Sequence, residues 1–160
     1  QFREMFQRIK QFRPDFNITT DIIVGFAGET DATFKESCDF AREIGFSHIH
    51  TFKYSVRSGT KAATMPNQVP EKVKSERSEI MRAISLENKN RYFGMMQGHT
   101  QRMLIERIDA KGTAKGYGEN YIPIQIKAIN AERNTFINIR LSEIEHCNDE
   151  DKMNFTGIII

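Results

Sequence analysis

The period of the apolar residues changes partway along this chain, and that change limits it more than any other feature. Up to about residue 96 the apolar positions mostly recur at helical spacing. From Thr100 onwards they alternate in short runs separated by turn residues. Strands are expected near 102–108, 113–117, 121–128, 136–144 and 155–160. Ile122, Ile124 and Ile126 alternate with Tyr121, Pro123, Gln125 and Lys127, which predicts one buried and one wet face. Pro123 has no backbone donor and is expected at an edge or a bulge. Five short strands in this span suggest a small barrel of the kind that binds oligonucleotides.

The first part reads differently. Phe2, Met5, Phe6 and Ile9 predict a helix over 2–12, stopped by Arg13-Pro14 because proline disfavours helical geometry in the residue before it. The pattern opens inside that helix, which suggests a piece of something longer. A strand rich in β-branched residues follows over 18–24. Gly25-Phe26-Ala27-Gly28 is a turn, and Thr30 a helix N-cap with Asp31 in the first turn. The helix buries Phe34, Cys38, Ala41 and Ile44 and stops at Gly45. A second strand is expected over 46–54 and a polar loop over 55–70. Strand, helix, strand makes a βαβ unit with parallel strands. Two such strands need a larger sheet, so 1–66 should self-associate, swap between chains or be mobile, whereas 97–160 should fold alone. A helix opens at Pro70-Glu71 and runs to about Phe93. Val73, Ile80, Met81 and Ile84 are expected as its buried stripe, and Gly94 at its end.

Charge excludes little. Residues 1–96 hold 15 Lys and Arg against 12 Asp and Glu, and residues 97–160 hold 8 against 9, so neither part has the basic excess that alone signals nucleic acid. No apolar run in this sequence reaches membrane-spanning length, so no signal peptide, a cytoplasmic location and no membrane partner are expected. The two cysteines, Cys38 and Cys147, form no Cys-x-x-Cys pair. Cys38 is spaced as a core residue. His48 and His50 share a strand face, but no third ligand lies near them in sequence, and His146-Cys147 is no stronger. No metal site is expected.

The run Asp21-Ile22-Ile23-Val24-Gly25-Phe26-Ala27-Gly28-Glu29-Thr30 lies between a parallel strand and a helix, where α/β folds place ligands. By spacing alone it reads more readily as a tight turn that touches nothing. Further on stands Phe52-Lys53-Tyr54-Ser55-Val56-Arg57-Ser58-Gly59-Thr60-Lys61-Ala62-Ala63. Both runs, in this order and at this distance, closely resemble the signatures of the radical-SAM methylthiotransferases. Ala27 stands where that family has proline, so the turn is expected to be less rigid. The resemblance implies the end of a partial (β/α) barrel beside S-adenosylmethionine. Cofactor-binding positions carried over are Ile23, Gly25 and Phe26, with His50 and Phe52 on the last barrel strand. Glu29 and Arg57 receive no role. The family's chemistry also needs a Cys-x-x-x-Cys-x-x-Cys loop and three further cysteines for two 4Fe–4S clusters. Neither set occurs here, so no catalytic residue, cluster or bound cofactor is expected in this chain, and it should be inactive alone.

The last stretch resembles the TRAM domain, a small five-stranded β-barrel that contacts tRNA. Gly116-Tyr117-Gly118-Glu119-Asn120-Tyr121-Ile122 is similar to a segment of the branch acting on N6-threonylcarbamoyladenosine, with Gly118 in place of threonine. Tyr117 and Tyr121 are candidates to stack on unpaired bases, and Arg102, Lys115 and Lys127 to meet phosphates. The same residues also fit a packed hairpin with solvated charges. The expected architecture is therefore α/β plus all-β: barrel remnant 1–66, connecting helix 67–96, TRAM barrel 97–160. Its partners would be tRNA and the N-terminal domains of the same enzyme, which would methylthiolate C2 of a modified adenosine next to the anticodon. The alternatives are action on isopentenyladenosine in tRNA or on a ribosomal protein, a non-catalytic RNA-binding module, and a metabolic α/β enzyme.

Overall fold

The computed structural model describes residues 1–127, 131–146 and 153–160; Ala128, expected to end a strand, and Cys147 lie outside them. The chain forms two compact units, Gln1–Pro14 with Ile18–Tyr92, and Asp15–Asn17 with Phe93–Ile160. No helix among the described residues is long and apolar enough to cross a membrane.

In the first unit, α1 (Phe2–Phe12) precedes strand β1 (Thr19–Val24), helix α2 (Asp31–Ile44) and strand β2 (His48–Lys53). β1 and β2 pair in parallel, from Thr19 opposite His48 to Val24 opposite Lys53. The βαβ reading holds. Thr30 caps α2 reciprocally with Thr33, and Gly45 ends it in the left-handed conformation. Phe34, Cys38, Ala41 and Ile44 pack with Val24, Phe46 and Ile49 as one core. β2 is shorter than expected at both ends, and Phe46 ahead of it packs in the core. The Ser47 amide and hydroxyl both donate to the Ile18 carbonyl, at 2.9 and 3.3 Å. The 55–70 loop also contains a 3-10 turn, Lys61–Thr64, capped by Thr60.

Helix α3 (Glu71–Met96) departs most from expectation. Ile80 is 46% exposed and Val73 only half-buried, while Met81 and Ile84 are buried as expected. Lys74, Arg77, Ser78, Ser85 and Asn88 are buried with them. Of these, Arg77, Ser85 and Asn88 answer backbone groups of their unit. Ser85 Oγ accepts from the Ile49 amide at 2.9 Å, and Asn88 Nδ2 donates to the Ala41 carbonyl at 3.0 Å. An apolar-stripe argument is blind to such a face. The helix also runs through Gly94, because Phe93 and Met96, both buried, hold the final turn in place.

The second unit is a closed barrel in the order β3-β4-β5-β7-β6: β3 (Thr100–Ile108), β4 (Thr113–Tyr117), β5 (Pro123–Lys127), β6 (Phe136–His146) and β7 (Met153–Ile159). All pairs are antiparallel except β5 with β7, and β3 pairs β6 to close the ring. Closure leaves no free edge. Met103, Ile105, Ile124, Ile126, Ile139, Leu141 and Phe155 fill the interior, and Phe93 stacks on Phe155 at 5.2 Å. Two expectations are corrected. Tyr121 is not in a strand: its φ of 54° places it in a loop that closes when the Gly118 amide donates to the Ile122 carbonyl. Pro123 is at neither an edge nor a bulge. It begins β5 opposite Tyr117, where a missing donor is tolerated, and the register shifts fall on β3 between Ile105 and Arg107 and on β6 between Leu141 and Ile144.

Candidate cofactor wall and nucleic-acid interface

One face of the β1–β2 pair belongs to the core; the other is open. In-register pairing places Thr19 beside His48, Asp21 beside His50 and Ile23 beside Phe52 on that open face. The His48 and His50 rings meet edge to face at 4.3 Å. Ile23 and Phe52 are 56% and 53% exposed, so a polar end grades into an apolar shelf. Of the sequence candidates, Ile23, His50 and Phe52 share this face. Phe26 is exposed in the loop after β1, its ring 4.9 Å from and edge-on to Tyr54. Gly25 is buried, with φ +74°, and a Cβ there would lie 2.4 Å from Lys74 Cγ.

Glu29, to which the sequence assigned no role, organises this loop. Its Oε1 accepts from the Gly25 amide at 2.9 Å and from Arg77 at 2.6 Å. Arg77 also donates to the Glu29 carbonyl at 3.2 Å and to Asp31 Oδ1 at 2.7 Å, and its guanidinium covers the Phe34 ring. Burial pulls the Arg77 pKa down, but the bonds to Asp31 and Glu29 outweigh it and hold it above the ordinary value. Cys38, by contrast, is buried in the core, and burial pushes its thiol pKa up, the reverse of what a thiolate ligand needs. Among the described residues no three His, Cys, Asp or Glu side chains form a metal cluster.

On the barrel, the segment from Gly116 to Ile122 divides into anchoring and displayed residues. Gly116 lets β4 approach β3, since a Cβ there would lie 1.8 Å from the Leu104 carbonyl oxygen. Asn120 is buried, its amide donating to Gln101 Oε1 at 3.3 Å, and Ile122 is fully buried. Tyr117 and Tyr121 are displayed, with ring centroids 6.4 Å apart and Tyr121 81% exposed. Leu104 is paired with Tyr117 on one side and Phe136 on the other, so an apolar strip crosses β4, β3 and β6. Arg102 lies over Phe136 at 4.7 Å and pairs with Glu119 at 3.8 Å. Lys115 precedes Tyr117 by one step on the same face of β4. Lys127 stands at the far end of β5 and donates to Thr113 Oγ1 at 3.0 Å. Both lysines line an open cleft of about 620 Å³ with Asp109, Gln125, Glu145 and Thr156.

The structure thus brings Arg102, Tyr117 and Tyr121 together, puts Lys115 beside them and Lys127 farther away. Phe136 is the member that sequence reasoning missed. Its signal was available: Phe136, Asn138 and Arg140 alternate with Ile137, Ile139 and Leu141, so Phe136 belongs to the outer set.

No protein-family model matches the chain. It is 38% identical over 121 residues to the threonylcarbamoyladenosine tRNA methylthiotransferase MtaB of Thermotoga maritima, covering 76% of this chain and 28% of that protein. It is 33% identical over 144 residues to the tRNA-2-methylthio-N(6)-dimethylallyladenosine synthase of Lachnoclostridium phytofermentans, covering 89% and 32%. The synthase of the same name from Bartonella bacilliformis is 41% identical over 106 residues, covering 66% and 23%. The chain therefore spans only 23% to 32% of the length of these relatives. With homology over most of its length and a five-stranded barrel at its end, the chain belongs to the tRNA methylthiotransferase family.

Proposed function

We propose that this chain supplies a tRNA-docking surface and one wall of the S-adenosylmethionine pocket of a cytoplasmic radical-SAM methylthiotransferase. In this reading, 1–66 ends the radical-SAM barrel, 67–96 connects, and 97–160 is a TRAM domain. The substrate is N6-threonylcarbamoyladenosine next to the anticodon, methylthiolated at C2. The observation that carries the docking role is the display of Tyr117 and Tyr121, held out by a buried Asn120 and Ile122 beside Arg102. Exposed aromatic rings with cations beside them suit unpaired bases and phosphates.

The open β1–β2 face fits the cofactor's adenosine, since the Ile23–Phe52 shelf is apolar and Asp21 and His50 next to it are polar. When bound, S-adenosylmethionine supplies the radical and the methyl group. This chain's residues would seat its flat base and its hydroxyl groups. Among the described residues the one cysteine, Cys38, is buried with its thiol pKa pushed up, which does not suit a ligand of the 4Fe–4S clusters. The sequence has no Cys-x-x-x-Cys-x-x-Cys loop, and on this reading the chain is inactive alone.

Electrophoretic titration with unmodified tRNA tests the docking role. Affinity is expected to fall as salt rises, and Tyr121→Ala to weaken binding by about tenfold, the loss of one stacked base. Absence of binding at every salt concentration would contradict the reading. The dimethylallyladenosine synthases match at similar identity, which favours N6-dimethylallyladenosine as a second substrate reading. Mass spectrometry of tRNA nucleosides from cells lacking the protein separates them by which methylthio nucleoside disappears.

A further inference from the structure

We propose that Phe136 is a third base-stacking position on the barrel, occupied without RNA by the guanidinium of Arg102, which Glu119 holds there. The inference rests on the tRNA-docking reading and names its ligand class more narrowly: an unpaired nucleotide, base and 5′-phosphate together.

Four observations converge. Phe136, in the outer, solvent-facing set of β6, is 61% exposed at the start of that strand, so a large apolar ring is displayed to solvent. Leu104 lies between it and Tyr117 by register on both sides, so the strip from Tyr121 to Phe136 is continuous. Arg102 is its diagonal neighbour on β3 and sits 4.7 Å over the ring, a placement worth making for a cation but equally the place of a base. Glu119, in the loop that displays Tyr121, holds the same guanidinium at 3.8 Å and also accepts from the Arg102 amide at 3.5 Å.

Charge complementarity commits the strip to RNA. Arg102, Arg140 and Asn138 share the outer face of the β3–β6 pair, and Arg107 and Lys115 lie opposite each other on β3 and β4. An incoming base takes the guanidinium's place on Phe136. Arg102 then turns to the phosphate of that nucleotide and leaves Glu119. Because the Arg102–Glu119 pair is exposed on both sides, breaking it costs little. Glu119 thus acts as a competing anion built into the docking loop.

The test titrates the chain with unmodified tRNA and with a short single-stranded oligouridylate. Phe136→Ala is expected to weaken both by roughly tenfold, with an unchanged melting temperature because the ring is exposed. Glu119→Gln is expected to tighten binding by about threefold, more than Glu143→Gln, which removes the same charge away from Arg102. In an Arg102→Ala background the extra gain of Glu119→Gln should vanish. Wild-type affinity in Phe136→Ala, with Tyr121→Ala still impaired, would overturn the third position and leave the docking reading standing. Equal gains from Glu119→Gln and Glu143→Gln would overturn the hold on Arg102. Failure of the wild-type chain to bind either RNA would sink the docking reading itself.

Discussion

Gly116→Ala is expected to destabilise the barrel strongly, while Gly94→Ala, in the same unit, stabilises it. At Gly116 an added Cβ would lie 1.8 Å from the Leu104 carbonyl oxygen and 2.9 Å from its carbon. Both are backbone atoms, so no side-chain rotation relieves the collision. The β3–β4 ladder must open next to Ile105, which is buried and directly opposite Gly116. Overpacking a core with side chains costs about 1–3 kcal/mol, and a backbone collision lies beyond that range, at about 4 kcal/mol. For a unit of this size that lowers the melting temperature by about 20 °C. At Gly94 a Cβ meets nothing within 4 Å, and the residue sits inside α3. Alanine there gains up to about 1 kcal/mol in helix propensity. Thermal unfolding followed by circular dichroism checks both signs. An unperturbed Gly116→Ala protein would contradict the close β3–β4 approach.

Arg77→Ala is expected to destabilise the first unit by about 3 kcal/mol, the lower end of the range for breaking a buried ion pair. The Arg77 side chain is 6% exposed and that of Glu29 15%, so the loss leaves a carboxylate with little water and, among the described residues, the Gly25 amide as its remaining donor. Asp31, the other partner, is fully exposed and adds little. Two neighbours make the prediction specific. Arg77→Met combined with Glu29→Gln should recover part of the loss, because no uncompensated charge then remains. Hydrogen exchange at the Gly25 amide should accelerate in Arg77→Ala, since the oxygen that accepts it loses its anchor. Urea unfolding measures the first effect and NMR exchange the second. An unchanged midpoint with unchanged Gly25 exchange would show that the loop does not depend on α3.

The strands of the barrel and the βαβ order were readable because each rests on a local period that a single sequence displays. Ile122, Ile124 and Ile126 announced β5, but the same alternation drew Tyr121 into the strand. Only the closed loop, with Tyr121 at positive φ, releases it. The buried face of α3 was illegible for another reason. Arg77, Ser85 and Asn88 look like solvent-facing residues until the backbone groups they satisfy, 36 to 48 residues away, are in place. Glu29 was opaque on the same ground, its partner being on α3. On the open sheet face, parallel register puts Ile23 beside Phe52 and Asp21 beside His50. Motif spacing implied the strands but not this pairing. Phe136 could have been found from alternation alone, while Arg102 above it could not, because that contact crosses two strands.

The central claim is that the outer face of β3, β4 and β6 receives unpaired RNA. Amide chemical-shift mapping of the labelled chain during titration with unmodified tRNA tests it most directly. The account predicts perturbations concentrated at Arg102, Leu104, Lys115, Tyr117, Glu119, Tyr121 and Phe136, fading as salt is raised. Perturbations confined to Thr19–Lys53, or scattered without relation to the aromatic strip, would contradict it.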